Sequence, residues 1–118
     1  MPNEVITNPK TFFEELGGLH DACIENFSLD IKRKVLCISV DDLNSNFLDL
    51  PEYQGLRPVD IVFLDAVMID INMQVLGNVF SVYDINIAHK GGEYEVKIEC
   101  SPGGYFKCKC SSIELRAI

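Results

Sequence analysis

Apolar residues first recur at helical spacing, near the start of the chain. Asn8-Pro9 reads as a helix start: the Asn side chain can accept from a first-turn N–H, and Pro loses nothing at the first helical position. Phe12, Phe13 and Leu16 then share one face over residues 10–16, and Gly17-Gly18 ends the helix. A helix of about two turns is unstable alone, so its Phe/Leu face must dock on a larger body.

From residue 27 the period changes to two. Phe27, Leu29 and Ile31 alternate with Ser28 and Asp30, which predicts a half-buried strand. Lys32-Arg33-Lys34 connects it to a second strand with Leu36, Ile38 and Val40 in phase, ending at Asp41-Asp42. The two most simply form a hairpin. Residues 44–58 are irregular, with Pro51, Gly55 and Pro58 among Phe47, Leu48, Leu50, Tyr53 and Leu56. A loop of this length is either functional or a packed cover over an open end of the sheet.

Residues 59–71 are apolar on both faces, as expected of a central strand, and Asp65 marks a bulge or turn within them. Residues 79–89 predict a strand with Val79, Tyr83, Ile85 and Ile87 on one face. Lys90-Gly91-Gly92 is a hairpin turn. Tyr94, Val96, Ile98 and Cys100 then alternate with Glu93, Glu95, Lys97 and Glu99. After the turn Ser101-Pro102-Gly103-Gly104, Phe106, Cys108 and Cys110 face in and Lys107 and Lys109 face out. The apolar phase slips to Ile113 and Leu115, which places a bulge near Ser111-Ser112. The expected fold is therefore mainly β: six to seven antiparallel strands in a strongly bent sheet or partly closed barrel, with one short N-terminal helix. Length allows one domain over residues 1–118.

Composition supports a packed core: 47% of the residues are hydrophobic and 24% charged. The N-terminus lacks a basic start and an apolar stretch, which argues against a secretory leader. Asp60, Asp65 and Asp70 break the longest apolar region, which argues against a membrane helix. Five cysteines, an odd number, fit free thiols in a reducing cytoplasm. The net charge is −8, and it is concentrated. Residues 35–89 hold eight acids against the single base Arg57, a net −7. Such a surface repels nucleic-acid phosphates and anionic membranes and admits a basic protein partner.

Leu19-His20-Asp21-Ala22, followed by a strand, a tight turn and a strand ending in Asp41-Asp42, is the distinctive run of residues. In this the chain resembles small uncharacterised bacterial β-rich domains that open with a Leu-His-Asp-Ala/Cys motif. Some of these are grouped with immunity-type proteins that neutralise partner toxins. The resemblance implies a β-rich fold and, in its immunity-type branch, a protein partner.

Three constellations can carry chemistry. His20 beside Asp21 can act as a general base, with Cys23 the nearest nucleophile, or can pin the helix–strand corner through hydrogen bonds. Cys108 and Cys110 share a strand face, with Cys100 on the preceding strand. Three thiols and a His can hold zinc, or all three thiols can fill the core as small apolar residues, the reading their phase favours. Asp41, Asp42, Asp49, Glu52 and Tyr53 lie in or beside the long loop and form a candidate interaction surface, unless Tyr53 plugs the mouth of the barrel. No calcium loop, phosphate loop or nucleophile elbow occurs. The expected function is a non-enzymatic intracellular interaction domain, without cofactor, monomeric or homodimeric. The alternative is a ligand binder or enzyme with a pocket near His20, Asp21 and Cys23. A third possibility is an assembly subunit in which residues 105–118 pair as an edge strand across a two-fold axis.

Overall fold

The computed structural model describes residues 4–118; the first three residues of the N-terminal stretch lie outside it. Among the described residues there are nine strands and one α-helix, α1 (Pro9–Glu15). The strands are β1 (Glu4–Val5), β2 (Ile24–Asp30), β3 (Val35–Val40), β4 (Val59–Leu64), β5 (Val67–Met73), β6 (Ser81–Lys90), β7 (Glu93–Ser101), β8 (Gly104–Cys110) and β9 (Ser112–Ala117). All pairing is antiparallel, in a sheet of order β1-β9-β4-β3-β2 and a second of order β5-β8-β7-β6.

The two sheets are halves of one bent ribbon. β4 runs into β5 through Asp65-Ala66, and β8 runs into β9 through Ser111, while β4 pairs with β9 and β5 with β8. At the corner Asp65 takes a left-handed conformation (φ 54°). Its carboxylate accepts from the Ser111 hydroxyl at 2.6 Å, and the Ser111 N–H donates to the Leu64 carbonyl at 2.9 Å. The expected strands over 59–71 and from 105 onward are thus each broken in two. With the two-residue β1, this raises the count from six or seven to nine. On the opposite side, β2 approaches β6: Ile24 N–H donates to Phe80 O and Val82 N–H to Ala22 O, at 2.7 and 2.8 Å. A lone bridge between Cys23 and Ser81 joins the halves there without closing a barrel.

The expected C-terminal edge strand is not an edge. β8 lies between β5 and β7, and β9 between β1 and β4. Another correction concerns β6, where Val82 and Ile85 face in while Val79 and Tyr83 are exposed. A register shift between Val82 and Asp84 changes the phase, a slip that strict alternation cannot follow.

One core fills the bend. Leu36, Ile38, Ile61, Phe63, Ile113 and Leu115 of one sheet meet Val82, Ile85, Val96, Ile98, Phe106 and Cys108 of the other. The helix plugs one end. Asn8 accepts from the Thr11 N–H at 3.4 Å, Pro9 is the first helical residue, and Phe13 is fully buried. Burying a Phe contributes about 1.5–3 kcal/mol, the docking such a short helix needs. Gly18 follows in a left-handed conformation (φ 68°), and a Cβ there would collide with the Asp84 carboxylate. Glycine lets the 3-10 turn Gly17–Leu19 lie this close to β6 without displacing that carboxylate. Among the described residues no helix is long and apolar enough to cross a membrane.

Candidate functional site

Two groups of candidate residues, far apart in sequence, meet at one corner. Leu19 and Ala22 are buried there, and the backbone of Asp21 turns left-handed (φ 71°) with its N–H on Val82 O at 2.9 Å. His20 Nδ1 donates to the Tyr83 carbonyl at 2.9 Å, and the two rings meet edge to face at 5.6 Å. That bond sets the tautomer, leaving Nε2 to face Asp21 Oδ1 at 3.5 Å. Nδ1 is thus held by backbone, while Nε2 lies beside the Asp21 carboxylate with both side chains open to solvent. The Cys23 thiol is held above its ordinary value, first by burial and then by the Asp41 charge, which disfavours the thiolate a nucleophile needs. The Nδ1 bond ties the corner to β6.

Asp41 and the long loop join this corner directly. Asp41 Oδ1 accepts from Cys23 N–H at 2.7 Å, Asp41 N–H donates to Cys23 O, and the Ser45 hydroxyl donates to His20 O at 2.9 Å. Within the loop the organising residue is Asp42. It is 5% exposed, and its carboxylate accepts from the N–H groups of Asn44 and Arg57, both at 3.0 Å, and from the Tyr53 hydroxyl at 2.6 Å. The Asn44 side chain adds a bond to Gly55 O at 2.8 Å, and Leu43 N–H one to Arg57 O. The Asp42 carboxylate pushes the Tyr53 phenol up to about 12. Asp42 and Tyr53 are therefore spent on the loop's interior, and the acids left at its surface are Asp41, half-buried, with Asp49 and Glu52 exposed.

The apolar residues do the reverse. Leu48, Leu50 and Leu56 are 59%, 48% and 74% exposed. The loop thus turns its polar groups inward and three of its leucines outward. The one basic side chain in it, Arg57, reaches Glu4 at 3.3 Å.

Cys100, Cys108 and Cys110 point into the core. Cys108 lies opposite Val96 on β7, so Cys100 sits about 13 Å farther along that strand, too far to share an ion. Burial pushes Cys100 up to about 11, and its neighbour Cys108, together with burial, pushes Cys110 up as well. Among the described residues no three His, Cys, Asp or Glu side chains come together as a metal site.

Two grooves lie elsewhere. One of about 610 Å³ runs between α1 and the β6–β8 strands, lined in part by Lys10, Glu95, Lys97, Lys107 and Lys109. Another of about 640 Å³ crosses the outer face of β2, β3 and β4, over Asn26, Ser28, Cys37, Ser39 and Asp60. Neither includes His20, Asp21 or Cys23.

Two features escaped the sequence reading. The internal role of Asp42 had a visible signal: an Asp two residues before an Asn is a frequent side-chain-to-backbone turn. Tyr83 beside His20 had none, because the β6 register shift conceals which way it points.

No family model matches the chain, and no curated protein does. A crystal structure of an uncharacterized protein from Neisseria gonorrhoeae shares the fold, with a TM-score of 0.53 at 8% identity, covering 100% of both chains. At that identity the likeness is one of architecture alone.

Proposed function

We propose that this domain is a non-enzymatic protein-interaction module. Its docking surface is the loop of residues 44–58 on the His20–Asp21 corner, and its partner is a protein with a basic patch. The observation that carries the reading is the inverted loop: Asp42, Asn44 and Tyr53 bonded inside, Leu48, Leu50 and Leu56 in solvent. A loop already held in one shape loses little conformational freedom on binding, so its leucines can act as anchors at small entropic cost. Asp49 and Glu52 are exposed in the same loop, with Asp41 half-buried beside it, and this charge favours a cationic surface and opposes nucleic acid.

An immunity-like, neutralising role is the sharpest form of this reading, and it rests on the resemblance through Leu19-His20-Asp21-Ala22. That motif builds the corner on which the loop stands, since Ser45 bonds to His20. Five thiols without disulfides fit a cytoplasmic setting.

The test is a site-specific photo-crosslinker placed at Leu50 or Asp49 in the cell that makes the protein, with Asn86 of β6 as the control position. The expected result is one basic protein cross-linked from the loop positions alone, and lost when Asp41 and Glu52, and Asp49 where the cross-linker is at Leu50, become amides. Equal labelling from position 86, or labelling indifferent to the amides, overturns the proposal.

A further inference from the structure

The least protected edge in the molecule is β2. It pairs with β3 on one side, and among the described residues no strand lies on the other from Glu25 to Asp30. The other edges carry devices that discourage pairing. β5 has a left-handed Met68 and a register shift, β6 packs against α1 and the Gly17–Leu19 turn and ends in His89 and Lys90, and β1 is two residues long. β2 has neither Lys nor Pro; its charges, Glu25 and Asp30, lie toward its two ends, and its one irregularity is at Glu25. Its inner side chains are open as well. Phe27 and Leu29 are 36% and 37% exposed, although the Phe27 ring touches Phe106 of the opposite sheet at 5.3 Å.

We infer that β2 pairs antiparallel with β2 of a second copy, joining the two β1-β9-β4-β3-β2 sheets across a two-fold axis at Ser28. The strand's own sequence selects both the occupant and the register. Paired residues of an antiparallel ladder point to the same face, so Phe27 and Leu29, which face in, must oppose inward residues. Asn26, Ser28 and Asp30 line the outer groove and must oppose outward ones. Centring on Ser28 sets Phe27 against Leu29 of the second copy and Asn26 against its Asp30. Apolar then meets apolar, and an amide meets a carboxylate. Centring on Phe27 sets Leu29 against Glu25, apolar against charge, and Asp30 against Ile24, whose N–H is already bonded to Phe80 O. Centring on Leu29 carries the pairing into the turn after Asp30, leaving three strand residues in the ladder. The Ser28 register therefore has no like charges opposed and covers the exposed flanks of Phe27 and Leu29. This inference does not use the loop of residues 44–58, and either can fail without the other.

Sedimentation equilibrium of the full chain is expected to give twice the 13.2 kDa chain mass. Leu29→Lys, which puts a charge on the edge, is expected to return it to the single-chain mass with the native circular dichroism retained. Disulfide trapping tests the register and stands even if that variant fails to fold. Because Ser28 lies opposite Cys37 within the chain, the background is Cys23→Ser with Cys37→Ser. Ser28→Cys is expected to oxidise to a covalent dimer. Asn26→Cys alone is not, but Asn26→Cys mixed with Asp30→Cys is. A single-chain mass up to millimolar concentration, a dimer that survives Leu29→Lys, or Asn26→Cys linking to itself as readily as Ser28→Cys would each overturn the proposal.

Discussion

Two connections put apolar side chains into solvent, and they are held in opposite ways. The loop of residues 44–58 is tied by the Asp42 carboxylate, the Asn44 amide and the Tyr53 hydroxyl, and displays Leu48, Leu50 and Leu56. The connection from β5 to β6 exposes Val75, Leu76 and Val79, and its ties are backbone ones: Gln74 N–H to Gly103 O at 3.3 Å and a bridge between Leu76 and Val79. Exposure of apolar residues is common to both. What separates them is a buried charged acceptor that sets the shape of one and has no counterpart in the other. An exposed leucine argues for recognition when its backbone is already fixed, because the ordering cost has been met during folding.

The largest effect that tests this contrast is at Asp42. Asp42→Ala leaves the N–H groups of Asn44 and Arg57 without their acceptor and is expected to destabilise the fold by about 3 kcal/mol. Gln74→Ala in the other connection should stay within about 0.5 kcal/mol. Urea denaturation of both variants reads the difference directly, and equal midpoints would remove the distinction between the two loops.

Next in size is a pH effect. Tyr53 is raised from 10.0 to about 12 in the fold, so its bond to Asp42 stabilises fully below pH 10 and is lost as pH climbs toward 12. The stability advantage of the wild type over Tyr53→Phe should therefore be constant from pH 7 to 9 and shrink above 10. Denaturation midpoints across that range check the sign, and phenolate absorbance should show a tyrosine that titrates late. A constant difference up to pH 12 would show that the phenol is not held by the carboxylate.

The smallest effects on stability carry the functional half of the contrast. Leu48→Ser with Leu50→Ser should change the unfolding free energy by less than about 1 kcal/mol while abolishing cross-linking from position 49. Val75→Ser with Leu76→Ser should leave both stability and cross-linking unchanged. Loss of cross-linking in the second pair would move the docking surface to the β5–β6 connection.

The fold was legible where period and burial agree. Tyr94 through Cys100 and Phe106 through Cys110 alternate cleanly because each strand lies inside a sheet with one covered face. The helix was legible from Asn8-Pro9 and Gly17-Gly18, which act through local geometry. Legibility failed at β6, where the shift between Val82 and Asp84 changes the phase without changing composition. It failed as well at the C-terminus, where alternation marks a strand but says nothing about its neighbours. For the site, His20, Asp21, Asp41 and Asp42 were all noticed, but their partners were not. His20 bonds to a backbone carbonyl 63 residues away, and a carbonyl has no sequence signature.

By itself the sequence determined what depends on near neighbours: the helix and its ends, the faces of β7 and β8, the hairpin turns, the acidic surplus of the middle of the chain and the core position of Cys100, Cys108 and Cys110. Only the tertiary structure decided which acid is a surface charge and which a buried acceptor. Asp41 and Asp42 are adjacent and identical in kind, yet one faces Cys23 across the corner and the other is enclosed by Asn44, Tyr53 and Arg57. Local preference is set within a few residues, whereas desolvation and hydrogen bonding at a carboxylate depend on what the rest of the chain brings to it.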